Sequence, residues 1–170
     1  MDFRIEARTY DDPDVVRLVA EVQGEYVRRY GGPDAAAVEP GEFEPPAGLF
    51  LVGILDGEPA VTGGWRRIDG GTVEIKRMYV LDAVRRRGLA RLMLAELEAT
   101  ALAAGAHRVE LNTGDQQPEA IALYESSGYL PTKGFGHYAC TPGAIFYGKT
   151  LVTNGDAAKR PAARNARTGR

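Results

Sequence analysis

The chain has 170 residues, 44% of them hydrophobic, and its 21 lysines and arginines against 23 aspartates and glutamates give a formal charge of -2. That length suits one domain closed by packing alone, and the near-balance of charge gives no whole-surface footprint for nucleic acid. A single cysteine, Cys140, and two histidines far apart in sequence make neither an intramolecular disulfide nor a Cys/His zinc cluster, so no metal is expected and a reducing, cytoplasmic setting is.

The N-terminal MDFRIEARTYDD carries charge where a secretory signal needs an apolar run, and no stretch approaches the roughly 18 apolar residues of a membrane span. At the other end, residues 155–170 hold Lys159, Arg160, Arg164, Arg167 and Arg170 against Asp156. With almost nothing to bury, 154–170 reads as a disordered basic tail, either a solubilising fray or a weak contact to something anionic, and 1–153 as the domain.

Residues 3–8 alternate as a strand. The Asp11-Asp12-Pro13 turn leads into a helix with Val15, Leu18, Val19, Val22 and Tyr26 at spacings of three and four, so one face is expected to be buried. Residues 30–48, with Gly-Gly-Pro and Pro-Pro, read as loop, with a short helical turn over 35–38. Two apolar stretches, 49–55 and 59–68, flank Asp56-Gly57, which favours a tight hairpin, and Asp69-Gly70-Gly71 repeats the signal before 72–80. Three successive antiparallel strands follow from that. In the third, alternation places Thr72, Glu74, Lys76 and Met78 on one face and Val73, Ile75, Arg77 and Tyr79 on the other.

From Gly88, the residues Leu89, Leu92, Met93, Leu97, Ala101 and Ala104 repeat with a helical period that Gly105 ends. A strand over 108–112, a helix over 118–127 between Pro118 and Gly128, and closing strands over 129–132 and 145–151 complete the order. It predicts an α/β fold of the α+β type, a mixed sheet with helices on both faces. Strands 72–80 and 108–112 should be parallel, joined by the helix 88–104.

Between that third strand and that helix lies Val84-Arg85-Arg86-Arg87-Gly88-Leu89-Ala90. Glycine at a helix start lets the backbone approach a bulky anion, first-turn amides lack intrahelical partners, and three arginines add a positive field. Such a run also reads as a solvated face. It is neither a Walker A loop nor a Rossmann fingerprint, so nucleotide hydrolysis and hydride transfer lose their main support.

Taken together these residues resemble the GCN5-related N-acetyltransferase (GNAT) superfamily. Arg85, Gly88 and Ala90 match its pyrophosphate turn, [Arg/Gln]-x-x-Gly-x-[Gly/Ala], and Met78, Tyr79 and Val80 its preceding strand end. Asn112 matches its Asn-ending strand, the run from Ala120 through Leu123, Tyr124 and Glu125 to Gly128 and Tyr129 its later helix, and Phe146 to Leu151 its final strand. One departure is Gln117, where the family usually has Asn.

The resemblance implies a GNAT-like fold, its central sheet splayed at the cofactor site. It also implies direct transfer of acetyl from acetyl-CoA, in a ternary complex, to a primary amine of a small molecule or peptide. A non-catalytic acyl-CoA-sensing or protein-binding module on the same frame is the alternative. The assembly expected is a monomer or homodimer, with no membrane partner. Met78, Tyr79, Val80, Arg85, Arg86, Arg87, Gly88, Leu89, Ala90, Asn112, Gln117 and Tyr124 are the expected acetyl-CoA contacts.

Acyl transfer to an amine needs a deprotonated nucleophile, a polarised carbonyl and a proton for the departing thiolate. The resemblance assigns these to Glu74 through water, the Val80 amide and Tyr124. Glu74 reads equally as an ion-pair partner of Lys76 or Arg66, and Tyr124 as a core tyrosine with its hydroxyl at a helix edge. Tyr26, Arg29, Tyr30, Trp65, Glu74, Arg77, His137 and Tyr138 are the candidates for acceptor selection. His137 is either a second base or a solvated loop histidine, and no base is placed to make Cys140 a nucleophile.

Overall fold

The computed structural model describes residues 1–153; the basic tail expected over 154–170 lies outside the described residues. Strand β1 (Phe3–Ala7) leads to helix α1 (Pro13–Tyr30). Asp12 starts the helix by accepting from the Asp14 amide at 2.9 Å, and Pro13 sits where a missing N–H loses nothing. Val15, Leu18 and Val22 are buried, each stabilising by roughly 1.5–3 kcal/mol, and Glu25 continues the same stripe.

No helical turn forms over 35–38. The Asp34 carboxylate takes the Ala36 amide at 2.9 Å, a local bond that competes with helix. The turn forms instead as a 3-10 segment at Pro40–Phe43, where Glu39 and Glu42 form a capping box and Phe43 is driven into the core beside Tyr10 and Phe50.

Strands β2 (Gly48–Leu55), β3 (Glu58–Arg67) and β4 (Thr72–Val80) are antiparallel neighbours. Helix α2 (Leu89–Ala103), strand β5 (Arg108–Gly114), helix α3 (Pro118–Ser126), and strands β6 (Leu130–Pro131) and β7 (Ala144–Thr150) follow. The seven strands lie in the order β1-β2-β3-β4-β5-β7-β6. β4 and β5 are parallel, as the α2 crossover requires. β5 runs two residues past Asn112 because its ladder with β7 continues to Gly114 opposite Ala144. β6 shrinks to two residues at the sheet edge.

One sheet face carries Phe50, Val52 and Ile54 against Val15 and Leu18 of α1. The other carries Leu51, Val61, Trp65 and Ile75 against Met93 and Leu97 of α2 and Tyr124 of α3. Trp65 therefore belongs to the core and not to an acceptor surface: its Nε1 donates to Thr100 Oγ1 at 3.0 Å on α2. No helix among the described residues is long and apolar enough to cross a membrane.

Strict alternation fails in β4. Between the pairs Gly64–Lys76 and Thr62–Tyr79, β4 sets both Arg77 and Met78 against the single residue Gly63. Arg77 takes φ 58° and its carbonyl accepts from Thr62 Oγ1 at 2.8 Å. Arg77 therefore stays on the α1 side, reaching Asp34 and Tyr10, as does its neighbour Lys76. Met78 crosses to the α2 side, where its sulfur packs against Gly63 near Leu97 and Met93.

Candidate active site

The parallel ladder between β4 and β5 covers only Thr72–Arg108, Val73–Val109 and Glu74–Glu110, although the strands run on to Val80 and Gly114. Beyond Glu74 they part, because β5 follows β7 while the bulge turns β4 away. The opening holds a cavity of about 350 Å³ between Ile75, Lys76, Arg77 and Met78 on β4 and Asn112, Thr113 and Gly114 on β5. Tyr26 and Tyr30 of α1, with Gln117 and Tyr124 at α3, complete its walls.

On the parted edge, Leu81 N donates to Ala60 O at 3.0 Å, which makes the opposed residues Val61 and Val80 a non-hydrogen-bonded pair. The Val80 N–H and C=O consequently point away from β3, into the gap. Its carbonyl is taken by Arg85 Nε at 3.0 Å. Arg85 is also tied to both Glu25 carboxylate oxygens, at 2.9 and 3.0 Å, and to Asp82 at 2.7 Å. This arginine fixes the strand end to α1 rather than standing free for an anion. Arg86 and Arg87 make no ion pair among the described residues.

Gly88 has φ 77° and caps the N-terminus of α2, with nothing within 4 Å of where a Cβ would stand. The amides from Arg86 to Ala90 meet no backbone acceptor among the described residues. A run of amides without backbone partners at a helix start, beside two arginines outside any described ion pair, fits a pyrophosphate. The gap edge fits the extended amide arm of acetyl-CoA, which can pair with it as a missing strand would.

Tyr124 is buried among Tyr129, Tyr147 and the α2 core, yet its hydroxyl borders the cavity and makes no hydrogen bond among the described residues. Burial raises its pKa well above the ordinary 10, so it holds its proton throughout the physiological range. The Tyr26 hydroxyl, on the opposite wall, is likewise pushed up by burial.

Part of the cavity wall is organised by Asp34, which sequence reasoning missed. Its Oδ2 pairs with Arg77 and lies 3.3 Å from Lys76 Nζ; its Oδ1 accepts from the Tyr138 hydroxyl at 2.7 Å and the Ala36 amide at 2.9 Å. Burial pushes this carboxyl up, but Lys76, Tyr138, Ala36 and Arg77 outweigh it and hold it far below its ordinary 3.8. Tyr138 also accepts from the Ala35 amide at 2.8 Å, so two loops distant in sequence are stapled together along the cavity lining. Two buried cations on β4 were a signal that a carboxylate had to reach them. Glu25, the other omission, announces itself as an acid on the stripe Val15, Leu18, Val22.

A second cavity of about 270 Å³ shares Lys76, Asn112 and Tyr138 with the first and adds Arg66, Glu74 and His137. Glu74 is bonded to Arg66 Nε at 3.0 Å and stands 3.9 Å from Lys76, so the ion pair exists and its carboxylate still borders a cavity. Of the other expected acceptor contacts, Arg29 straps α1 to Gln116 O at 2.7 Å and to Glu119, outside the cavity lining, and Arg77 is locked to Asp34. Gln117 Oε1 accepts from Tyr30 and Thr113, both at 3.3 Å. Tyr79, Val80 and 85–90 likewise lie outside the cavity lining.

The chain is similar to known proteins in sequence and in fold. A model of the Acetyltransferase (GNAT) family matches residues 9–129. The IAA acetyltransferase of Azospirillum brasilense is 37% identical over 83 residues, 49% of this chain and 54% of that protein, so the match spans about half the length of that curated relative. The uncharacterized N-acetyltransferase YjgM of Escherichia coli K12 is 30% identical over 127 residues, 70% of this chain and 76% of the relative. A solved structure from Klebsiella pneumoniae, assigned provisionally as an acyl-CoA N-acyltransferase, is 27% identical with a TM-score of 0.76, covering 88% of this chain and 98% of the other. The span matched by the family model takes in the parted strands, the arginine turn and α3 alike, and this chain belongs to the acetyltransferase (GNAT) family.

Proposed function

We propose that the chain is an N-acetyltransferase that moves an acetyl group from acetyl-CoA to a primary amine of a small molecule or peptide, directly and in a ternary complex. The observation that carries this reading is the end of the β4–β5 ladder at Glu74 and Glu110, which leaves a free strand edge facing the Tyr124 hydroxyl across a cavity. When bound, acetyl-CoA supplies an activated acyl group on a thiol leaving group. Arg86, Arg87 and the amides to Ala90 would hold its phosphates, and Met78, Tyr79 and Val80 its extended arm. The Val80 N–H, turned into the gap, would polarise the acyl carbonyl, as a fixed donor on a developing negative oxygen should.

Tyr124 is the proton-bearing group for the departing thiolate. An ordinary thiol has a pKa of about 8.5, below that of an ordinary phenol and further below a phenol that burial pushes up. Outright proton transfer from Tyr124 is then uphill, and hydrogen-bond donation to the thiolate is the contribution its environment favours. On the acceptor side, Glu74 and His137 border the adjoining cavity and are the groups able to anchor or deprotonate an incoming ammonium.

The test is released CoA from a panel of amines, with wild type and Tyr124→Phe. The variant should lose about 10²-fold in kcat with an unchanged acetyl-CoA Kd. Its stability should stay within about 0.5 kcal/mol of wild type, because the hydroxyl bonds to no described residue. Wild-type kcat in the variant would reduce Tyr124 to packing, and acetyl-CoA binding without CoA release from any amine would leave the sensing module.

A further inference from the structure

Lys76 is buried, its side chain only 5% exposed, at the junction of the two cavities and on the wall of both. Its Nζ lies 3.3 Å from Asp34 Oδ2 and 3.9 Å from Glu74 Oε1, and neither contact has the geometry of a hydrogen bond. Both carboxylates give their better geometry elsewhere: Asp34 to Arg77, Tyr138 and Ala36, and Glu74 to Arg66 at 3.0 Å. A buried ammonium, ion-paired on two sides, thus makes no hydrogen bond among the described residues while lining space that a ligand can enter, an arrangement that is costly unless something accepts from it. The Tyr26 and Tyr124 hydroxyls line the same cavity without a described partner, so its wall is rich in donors.

Resting on the acetyl-transfer reading, we infer that the acceptor is a free amino acid, its carboxylate held by Lys76 and its amine directed toward the parted strand edge and Tyr124. A carboxylate supplies the hydrogen-bond geometry that the ion pairs of Lys76 with Asp34 and Glu74 lack, and a charge-assisted hydrogen bond is the strong kind. A small free molecule suits a cavity of about 350 Å³ better than a protein surface does, and Asp34, Ala35 and Tyr138 hold two loops together along its lining. Asn112, shared by both cavities, stands where it can meet the acceptor beside Lys76.

The experiment compares free amino acids with their carboxamides as acceptors, by CoA release and by calorimetry, in wild type and Lys76→Met. The amine of an amide is the less basic of the two and more often neutral, so this bias runs against the expected result. Wild type should favour acids by about tenfold or more in kcat/KM, the size one charged hydrogen bond supports, and K76M should lose that preference while its acetyl-CoA Kd stays put. Equal use of acids and amides by wild type would mean that Lys76 meets solvent only and would overturn the inference, as would a preference that survives in K76M. If K76M does not fold, the wild-type pair still decides. If no amine of either kind releases CoA, the transfer reading fails on its own, and calorimetry separately decides the carboxylate site: acids binding to wild type but not to K76M support it, and indifference sinks it.

Discussion

Replacing Asp34 with Asn removes one charge and almost no volume, and leaves Lys76 and Arg77 facing each other without the carboxylate that sits between them. Their side chains are 5% and 4% exposed, and Asp34 is 11% exposed. Breaking a buried pair by deleting one partner costs about 3–5 kcal/mol. The lower end applies here, because Asp34 borders a cavity that water can enter and Glu74 remains 3.9 Å from Lys76. A loss of about 3 kcal/mol translates, for a domain of this size, into a melting temperature lower by about 6–12 °C. Adding Arg77→Met should recover part of it by removing one of the two stranded cations.

The same pair fixes a pH dependence. Asp34 titrates below its ordinary 3.8 in the fold, so its contribution is complete above that value and is lost as pH falls from there toward the depressed pKa. The gap between wild type and Asp34→Asn in urea melts should therefore be constant above about pH 5 and narrow below pH 4. A variant within about 0.5 kcal/mol of wild type at neutral pH, with no recovery from Arg77→Met, would refute the charge argument.

Gly48→Ala should be far more damaging than a surface change, because its Cβ would stand 2.0 Å from Glu42 O and 2.4 Å from Trp65 O, both backbone; thermal melts should show a loss beyond about 3 kcal/mol or no folded protein. A Cβ at Gly88 meets no atom within 4 Å, so the damage of Gly88→Val falls chiefly on the left-handed backbone and on the approach of phosphate, and calorimetry should find acetyl-CoA weakened by more than about 1 kcal/mol in a folded variant. Glu74→Gln separates two roles by steady-state kinetics: a raised acceptor KM marks an anchor, a fallen kcat partly recovered at high pH marks a proton relay, and loss of stability alone marks the Arg66 pair.

The elements most legible in the sequence were those whose signal is local. Asp56-Gly57 and Asp69-Gly70-Gly71 fixed the hairpins, and the repeat from Leu89 to Ala101 fixed α2, because turn chemistry and helical period act over a few residues. The extent of β5 and β6 was less legible, since partner strands set it. The site divided in the same way. Tyr124 and Gly88 lie inside patterned runs, whereas Asp34 comes from a loop with no period, and its importance rests on contacts with Tyr138, Lys76 and Arg77 far along the chain. Trp65 was misplaced because an indole on a hairpin suits either a core or a binding surface, and only the arrival of α2 decides which.

A regular strand carries one binary quantity, its phase, which tells every residue which side of the sheet to serve. The extra residue at Arg77 inverts that quantity halfway along β4, so consecutive positions 76 and 77 both serve the α1 side. An unbroken strand could not deliver two adjacent cations to one carboxylate, nor return Met78 to α2 so soon afterwards. Deleting a single residue between Ile75 and Tyr79 would therefore act unlike trimming a loop. It would restore the uninterrupted phase, in which only one of two adjacent positions faces α1, and leave Asp34 with one of its two cations.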